Sequence, residues 1–307
     1  MKKLLLLLLV CSSAFAQKQK VWLDADTGNE MDDVYAIVRL LWAADRVDVV
    51  GLSSAHFNNA DLVTFEKWNQ YATSGLSPIL VSQALNEEIL NTMGLQSIPH
   101  PLGADRQMGR AWGGFQPRPS AATEKIFEVI KSLKPGEKLD ILTLGALTNV
   151  ASLVALDSTV KTRIRVFSLG GGYDFAKRAW NKNEFNVRCD LNAYDYLLNR
   201  ANLDWTIMPI HSVMHYQFDR ETIYERFADD NPTEQLMEKR WRETNPQDTK
   251  RTLWDLGLVQ AYLLPDFAPV ATVAAPPENQ QPTVKIFTKI DAQGMDADFW
   301  EKVKLHR

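Results

Sequence analysis

The sequence predicts an α/β fold with an open, mostly parallel (mixed) central sheet flanked by helices. Apolar strand-like runs alternate with helix-period patterns almost throughout the chain. One stretch, VWLDADTGNEMDDVYAIVRLLWAA (residues 21–44), shows a complete strand–turn–helix passage. The length, 307 residues with 45% hydrophobic and 23% charged, suits one substantial core, and no internal repeat or linker divides it.

In the opening passage, Val21–Leu23 is a buried-strand run, and Asp24, Asp26, Gly28 and Asn29 mark a polar turn. Val34, Ile37, Val38 and Leu41 then recur at i, i+3, i+4 and i+7, the period of a helix with one apolar face. Val47–Leu52 reads as a second strand continuing through Ser53 and Ser54 toward Asn58 and Asn59. A helix is expected from Asp61 to about Thr73, and a short strand over Pro78–Val81. Residues 84–120 read as irregular, a length that is usually functional or mobile.

Ala121–Leu133 is an amphipathic helix, and Pro135-Gly136 turns the chain into the strand Leu139–Leu144. Gly145 leads into another helix, whose start Thr148 and Asn149 are expected to cap. Arg165–Leu169 is a strand running into Gly170-Gly171-Gly172, where backbone passes close to a neighbour. Trp205–Pro209 is a further buried strand. The strongly charged residues 219–250 read as a solvated excursion, helical over Arg220–Ala228 and Thr233–Glu243, able to close over a site. A strand (Thr283–Ile290) and a helix (Asp296–Lys304) end the chain.

Formal charge is −4, from 34 basic and 38 acidic residues, and the absence of a basic run argues against nucleic-acid binding. Lys2 and Lys3, the apolar run Leu4–Val10 and Ala14-Phe15-Ala16 match a cleaved secretory signal ending before Gln17, with one domain over residues 17–307. The apolar run is far shorter than the roughly 20 residues of a membrane span. The expected location is therefore secreted or periplasmic; Cys11 raises a lipoprotein anchor, but Val10 precedes it where a small residue is expected. After cleavage Cys189 is the remaining cysteine, so no internal disulfide forms and a buried thiol is expected.

Asp24, Asp26, Asp32 and Asp33 converge where a strand ends and a helix begins, which is where ligands bind in open α/β sheets. A single Asp there would be an N-cap worth about 1 kcal/mol. Four together repel unless a cation holds them, and Ca²⁺, which takes six to eight oxygen ligands, suits them.

The pattern resembles the signature of the inosine–uridine-preferring nucleoside hydrolase family. Its commoner form is D-x-D-P-G-x-D-D; the longer variant G-N-[DE]-x-D-D matches Gly28 to Asp33. Further matches follow: Gly145 to Val150 with T-G-P-L-T-N, Glu184-Phe185-Asn186 and Asp190 with E-F-N-x-x-x-D, and Trp254-Asp255 with H-D near the C-terminus. The resemblance implies a Rossmann-like nucleoside hydrolase fold over roughly residues 20–305. It implies Ca²⁺ held by Asp26, Asp33, Asp255 and the backbone carbonyl of Leu144, with Asp32 as the base that activates water. It also implies substrate contacts from Glu184 and Asn186, to which Asn58, Asn181 and Trp254 are added. The expected partner is a small nucleoside-like molecule, and family members are commonly homodimers or homotetramers. Two departures stand out: the turn has two extra residues, and Trp254 replaces the family's His.

Two other readings stay open at this level. A haloacid-dehalogenase-type phosphatase would need a Thr where Gly28 stands. A non-catalytic binder of ribosyl compounds would explain the lost His but not the retained Asp32, and a hydrolase of a different glycoside also fits.

Overall fold

The computed structural model describes residues 18–58, 75–110 and 113–307. The expected helix over 61–73 lies outside them. The sheet has seven strands: β1 (Gln19–Ala25), β2 (Val47–Ser54), β3 (Leu139–Thr143), β4 (Ile164–Leu169), β7 (Trp205–Met208), β10 (Val270–Ala274) and β11 (Thr283–Phe287). Their order is β10-β11-β7-β4-β3-β1-β2, with every pairing parallel except β10–β11. The expected open, mostly parallel sheet is what forms.

Helices cover both faces, and the strand period decides which core each side chain joins. Val21, Leu23 and Ala25 of β1 point to one core, with α1 (Asp32–Leu41), α10 (Trp254–Leu263) and α11 (Ala292–Leu305). Trp22 points to the other, with α3 (Ala121–Ser132), α4 (Thr148–Leu156) and α6 (Leu191–Leu198). Cys189 is a buried thiol that forms no disulfide, as expected.

Three readings of local structure are corrected. Pro78–Val81 is the first turn of a helix, α2 (Pro78–Thr92), so the irregular stretch assigned to 84–120 begins only after Thr92. The buried residues Ile79, Ser82, Asn86, Ile89 and Leu90 do recur at helical spacing, but two of them are polar, which hides the stripe from a hydrophobicity reading. Pro78 sits at the first position, where its missing N–H costs nothing. Second, residues 219–250 are not a solvated excursion. In α9 (Pro232–Thr244), Leu236, Met237 and Trp241 are buried, and the Tyr35 hydroxyl of α1 donates to the Met237 carbonyl at 3.1 Å. Third, Thr148 and Asn149 do not cap α4, whose N-cap position is Leu147.

Among the described residues, two short antiparallel pairs lie outside this sheet: the hairpin of β5 (Gly172–Asp174) with β6 (Ala179–Asn181), and β8 (Gln217–Asp219) with β9 (Lys250–Thr252), which are apart in the chain. The remaining helices are α5 (Phe185–Cys189), α7 (Ile210–Val213) and α8 (Arg220–Arg226).

Candidate active site

The chain runs from β1 outward to β2 and then returns to the far side of β1 as β3. That reversal opens a crevice beyond the carboxyl ends of β1 and β3. Asp24 lies opposite Ser53 of β2 and Thr143 of β3, and the Leu144 N–H donates to the Asp24 carbonyl at 2.9 Å. The strand ends thereby place Asp26 and Leu144 side by side. A Cβ on Gly145 would stand 2.5 Å from the Asp26 carboxyl carbon, so only glycine lets β3 turn this close.

The turn after Asp26 closes through the Asn29 N–H on the Asp26 carbonyl at 2.8 Å, and α1 begins at Asp32. Met31 holds the N-cap position and makes no side-chain cap, so Asp32 and Asp33 are first-turn residues near the positive end of the helix. Asp255 enters from the start of α10, and its N–H donates to Asp32 Oδ2 at 3.0 Å. Two helix starts thus meet over one acidic cluster.

Carboxylate oxygens of Asp32, Asp33 and Asp255 all lie within 4.8 Å of one another. Asp26, Asp32, Asp33 and Asp255 are all buried. Burial first, then mutual repulsion, pushes the carboxyls of Asp26, Asp33 and Asp255 well above the ordinary range. Asp32 is pushed up to about 7 by burial and then by Glu30, against the Asp255 N–H and Arg251. Asp26 Oδ2, Asp33 Oδ1 and Asp255 Oδ1 are buried with no hydrogen-bond partner. Orphaned buried acceptors of this kind are costly unless something electropositive satisfies them. The donor set is entirely hard oxygen, which suits Ca²⁺ rather than a thiolate- or imidazole-seeking metal. The residues fit a hard cation; Asp32, expected as the base, belongs to the group within 4.8 Å, and Asp26, expected as a ligand, does not.

A cavity of about 310 Å³ opens at this cluster, lined among others by Asp26, Asp32, Leu144, Asp255, Glu184, Asn186 and Trp254. Glu184 is the N-cap of α5 and accepts the N–H groups of Gly171, Asn186 and Val187 at 3.0–3.1 Å. Gly171 has φ +73°, a conformation that glycine adopts without strain, and this aims its N–H at the carboxylate. Asn186 Nδ2 donates to the Leu144 carbonyl at 2.5 Å, and so ties the start of α5 to the end of β3 beside the acidic cluster.

Two expected contacts are not brought in. Asn181 is exposed on β6, and its Oδ1 accepts the Asn183 N–H at 2.8 Å; Asn183, not Asn181, lines the cavity. Asn58 turns away and donates to the Asp105 carbonyl at 2.6 Å.

No histidine among the described residues lines the cavity. His56 is buried against Thr148, with Nε2 2.9 Å from the Thr148 hydroxyl, which itself donates to Asp190 Oδ2 at 2.6 Å. Its Nδ1 accepts the Asn58 N–H at 3.3 Å, so Nε2 carries the proton; burial lowers its pKa to about 4. His211 and His215 are exposed. Asn149, expected as a cap, instead cross-links the strand ends. Its Nδ2 donates to Asp24 Oδ1 at 2.9 Å and to the Ser54 carbonyl at 3.1 Å.

Sequence reasoning missed the supports beneath the acidic turn. Arg240 and Arg251 reach it from α9 and β9, and Asn86 from α2. The available signal was Arg240 itself, three and four residues from Met237 and Leu236 on the buried side of α9. A larger recess of about 390 Å³ lies at the opposite, amino-terminal edge of the sheet. Lys20, Lys138 and Arg165 there are paired with Asp48, Asp204 and Asp140, and Lys18 donates to the Ala44 carbonyl.

Comparison with known proteins agrees with this geometry. The chain is 26% identical over 222 residues to a probable ribonucleoside hydrolase of Dictyostelium discoideum, covering 68% of this chain and 63% of that protein. It is 29% identical over 189 residues to probable uridine nucleosidase 2 of Arabidopsis thaliana, covering 59% and 56%. The matches thus span less than two thirds of these relatives. Among solved structures, an inosine-guanosine nucleoside hydrolase superposes with TM-score 0.66 at 17% identity, covering 94% of this chain and 99% of that one. The purine-preferring ribonucleoside hydrolase from Gardnerella vaginalis gives 0.65 at 16%, covering 93% and 98%. At these identities the structures show a shared fold. The family model described as inosine-uridine preferring nucleoside hydrolase matches residues 21–302, and the chain belongs to that family.

Proposed function

We propose that this chain is an exported, calcium-dependent N-ribosyl hydrolase that cleaves the N-glycosidic bond of a nucleoside to ribose and free base. The observation that carries the reading is the buried cluster of Asp26, Asp32, Asp33 and Asp255, three of which keep an unpartnered oxygen, beside a cavity that Asp26, Asp32 and Asp255 line together with Glu184 and Asn186. Asp26, Asp33, Asp255 and the Leu144 carbonyl would hold Ca²⁺. When bound, Ca²⁺ supplies the charge that offsets the carboxylates and orients sugar hydroxyls and water.

The residues then divide the work. Asp32 has one oxygen anchored by the Asp255 N–H, which leaves the other to take a proton from water. The water oxygen bonds to the anomeric carbon as the bond from that carbon to the base nitrogen breaks, its electron pair leaving with the base, whose nitrogen takes a proton from solvent to give the free base. Positive charge developing on the sugar is stabilised by the surrounding carboxylates, as in glycosidases. Glu184 and Asn186 hold sugar hydroxyls; their own backbone contacts keep both side chains in place. Trp254 offers an apolar face on which a nucleobase stacks.

The test is reducing-sugar release from a panel of purine and pyrimidine nucleosides, with calcium and with chelator, for wild type and Asp32→Asn. Calcium-dependent release lost in Asp32→Asn supports the proposal. No release from any nucleoside, with calcium bound and the fold intact, overturns it. A second reading, a ribosyl-compound binder on the same fold, draws on the lack of a histidine in the cavity. It predicts nucleoside binding without turnover, equal in wild type and Asp32→Asn.

A further inference from the structure

We propose that Arg240 is a positioning residue for the metal, fixing the turn Thr27–Glu30 and through it the placement of Asp26 relative to Asp32 and Asp33. The proposal rests on the metal assignment above. In the commoner form of the family motif, a proline follows the second Asp and pins the backbone φ. Here Thr27 stands in that place and the turn is two residues longer, so the chain between the proposed ligands has more conformations to lose.

The structure restrains this turn from outside. Arg240 Nη2 lies 3.3 Å from the Thr27 carbonyl, 3.0 Å from Gly28 and 3.3 Å from Glu30. Three carbonyls of a four-residue segment converge on one guanidinium nitrogen only if the turn is wound around it. The Thr27 hydroxyl donates to Asn86 Oδ1 at 2.5 Å, and the Glu30 carboxylate is paired with Arg251. Arg240 lies on the buried face of α9, and the same helix takes the Tyr35 hydroxyl of α1 on its Met237 carbonyl. One helix therefore grips both the turn and the helix that carries Asp32 and Asp33. Bonds to backbone carbonyls transmit position, whereas charge alone would not require them.

The test is calorimetric titration of metal-stripped protein with Ca²⁺, together with hydrogen exchange over residues 27–31. Arg240→Gln keeps a polar side chain without the cationic fork, and Arg240→Lys keeps the charge but ends one bond short. Arg242→Gln is the control on the same helix, exposed and paired with Glu238. Weaker Ca²⁺ binding by about 10- to 100-fold in Arg240→Gln, less in Arg240→Lys, with faster exchange in the turn and wild-type behaviour in Arg242→Gln, supports the proposal. A Kd within about threefold of wild type in folded Arg240→Gln overturns it, since outer-shell substitutions typically cost 10- to 100-fold. If Arg240→Gln does not fold, the same Kd criterion applied to Arg240→Lys decides. A wild-type chain that binds no Ca²⁺ overturns the proposal along with the metal assignment. The titration needs no nucleoside, so absence of hydrolysis with binding intact removes the hydrolase reading alone.

Discussion

Gly145→Ala is a one-carbon perturbation aimed at the acidic cluster. The added methyl would lie 2.5 Å from both Cγ and Oδ1 of Asp26 and 2.8 Å from its Cβ. Carbon contacts favour separations near 3.5–4.0 Å, so either the β3 turn or Asp26 must shift by about 1 Å. Asp26 is buried and follows the last residue of β1, whose register with β2 and β3 is fixed on both sides, so the side chain has little room to move. Overpacking of this kind costs roughly 1–3 kcal/mol. At about 2–4 °C per kcal/mol for a domain of this size class, Tm should fall by roughly 2–12 °C. The displaced group is a proposed ligand, so Ca²⁺ affinity should fall disproportionately, by at least the 10- to 100-fold seen when metal-supporting contacts are lost. Differential scanning calorimetry and Ca²⁺ titration read the two effects separately. A variant with unchanged Tm and unchanged Ca²⁺ Kd would refute the argument that this glycine exists to admit Asp26.

Three further outcomes follow from the same geometry. His56 is held neutral, with its folded pKa near 4 against an unfolded value of 6.5. Its contribution to stability is therefore fully present above pH 6.5 and declines by about 1.4 kcal/mol per unit as pH falls toward 4. The difference in urea midpoint between wild type and His56→Gln, followed from pH 7.5 to 4.5, should shrink over that window; a difference independent of pH would count against it. Saturating Ca²⁺ should raise stability by about 2.7 kcal/mol at a hundredfold excess over Kd, and Asp33→Asn should abolish that rise in Tm. Trp254→Ala should raise KM about two- to tenfold, the roughly 0.5–1.5 kcal/mol of an aromatic stack, with kcat changed less. A kcat-only effect would place Trp254 elsewhere in the reaction.

The sheet was legible because central parallel strands are apolar on both faces, so VWL, LDIL and WTIM announce themselves without context. The acidic turn was legible for the opposite reason: Asp24, Asp26, Asp32 and Asp33 are too many carboxylates for a helix start to need. Helix α2 was hidden because its inner face spends Ser82 and Asn86 on the turn, with Asn86 accepting the Thr27 hydroxyl, so a functional contact replaced the hydrophobic signal. The stripe of α9 was masked by the charge surrounding Leu236, Met237 and Trp241. Asn181 stands in for a family Asn whose place, six residues before Glu184, falls on Arg178; Asn181 is exposed on β6, and Asn183 lines the cavity instead. Local pattern showed what sits on a strand end; which side chain crosses from another element depended on tertiary packing.

The most direct measurement is the free-Ca²⁺ dependence of sugar release from the best nucleoside substrate, set beside the Ca²⁺ Kd from calorimetry. If the acidic cluster holds the metal that the reaction requires, release rises from baseline and reaches half its maximum at the measured Kd. Full release in excess chelator, or release unrelated to that Kd, would contradict the assignment of Asp26, Asp33 and Asp255.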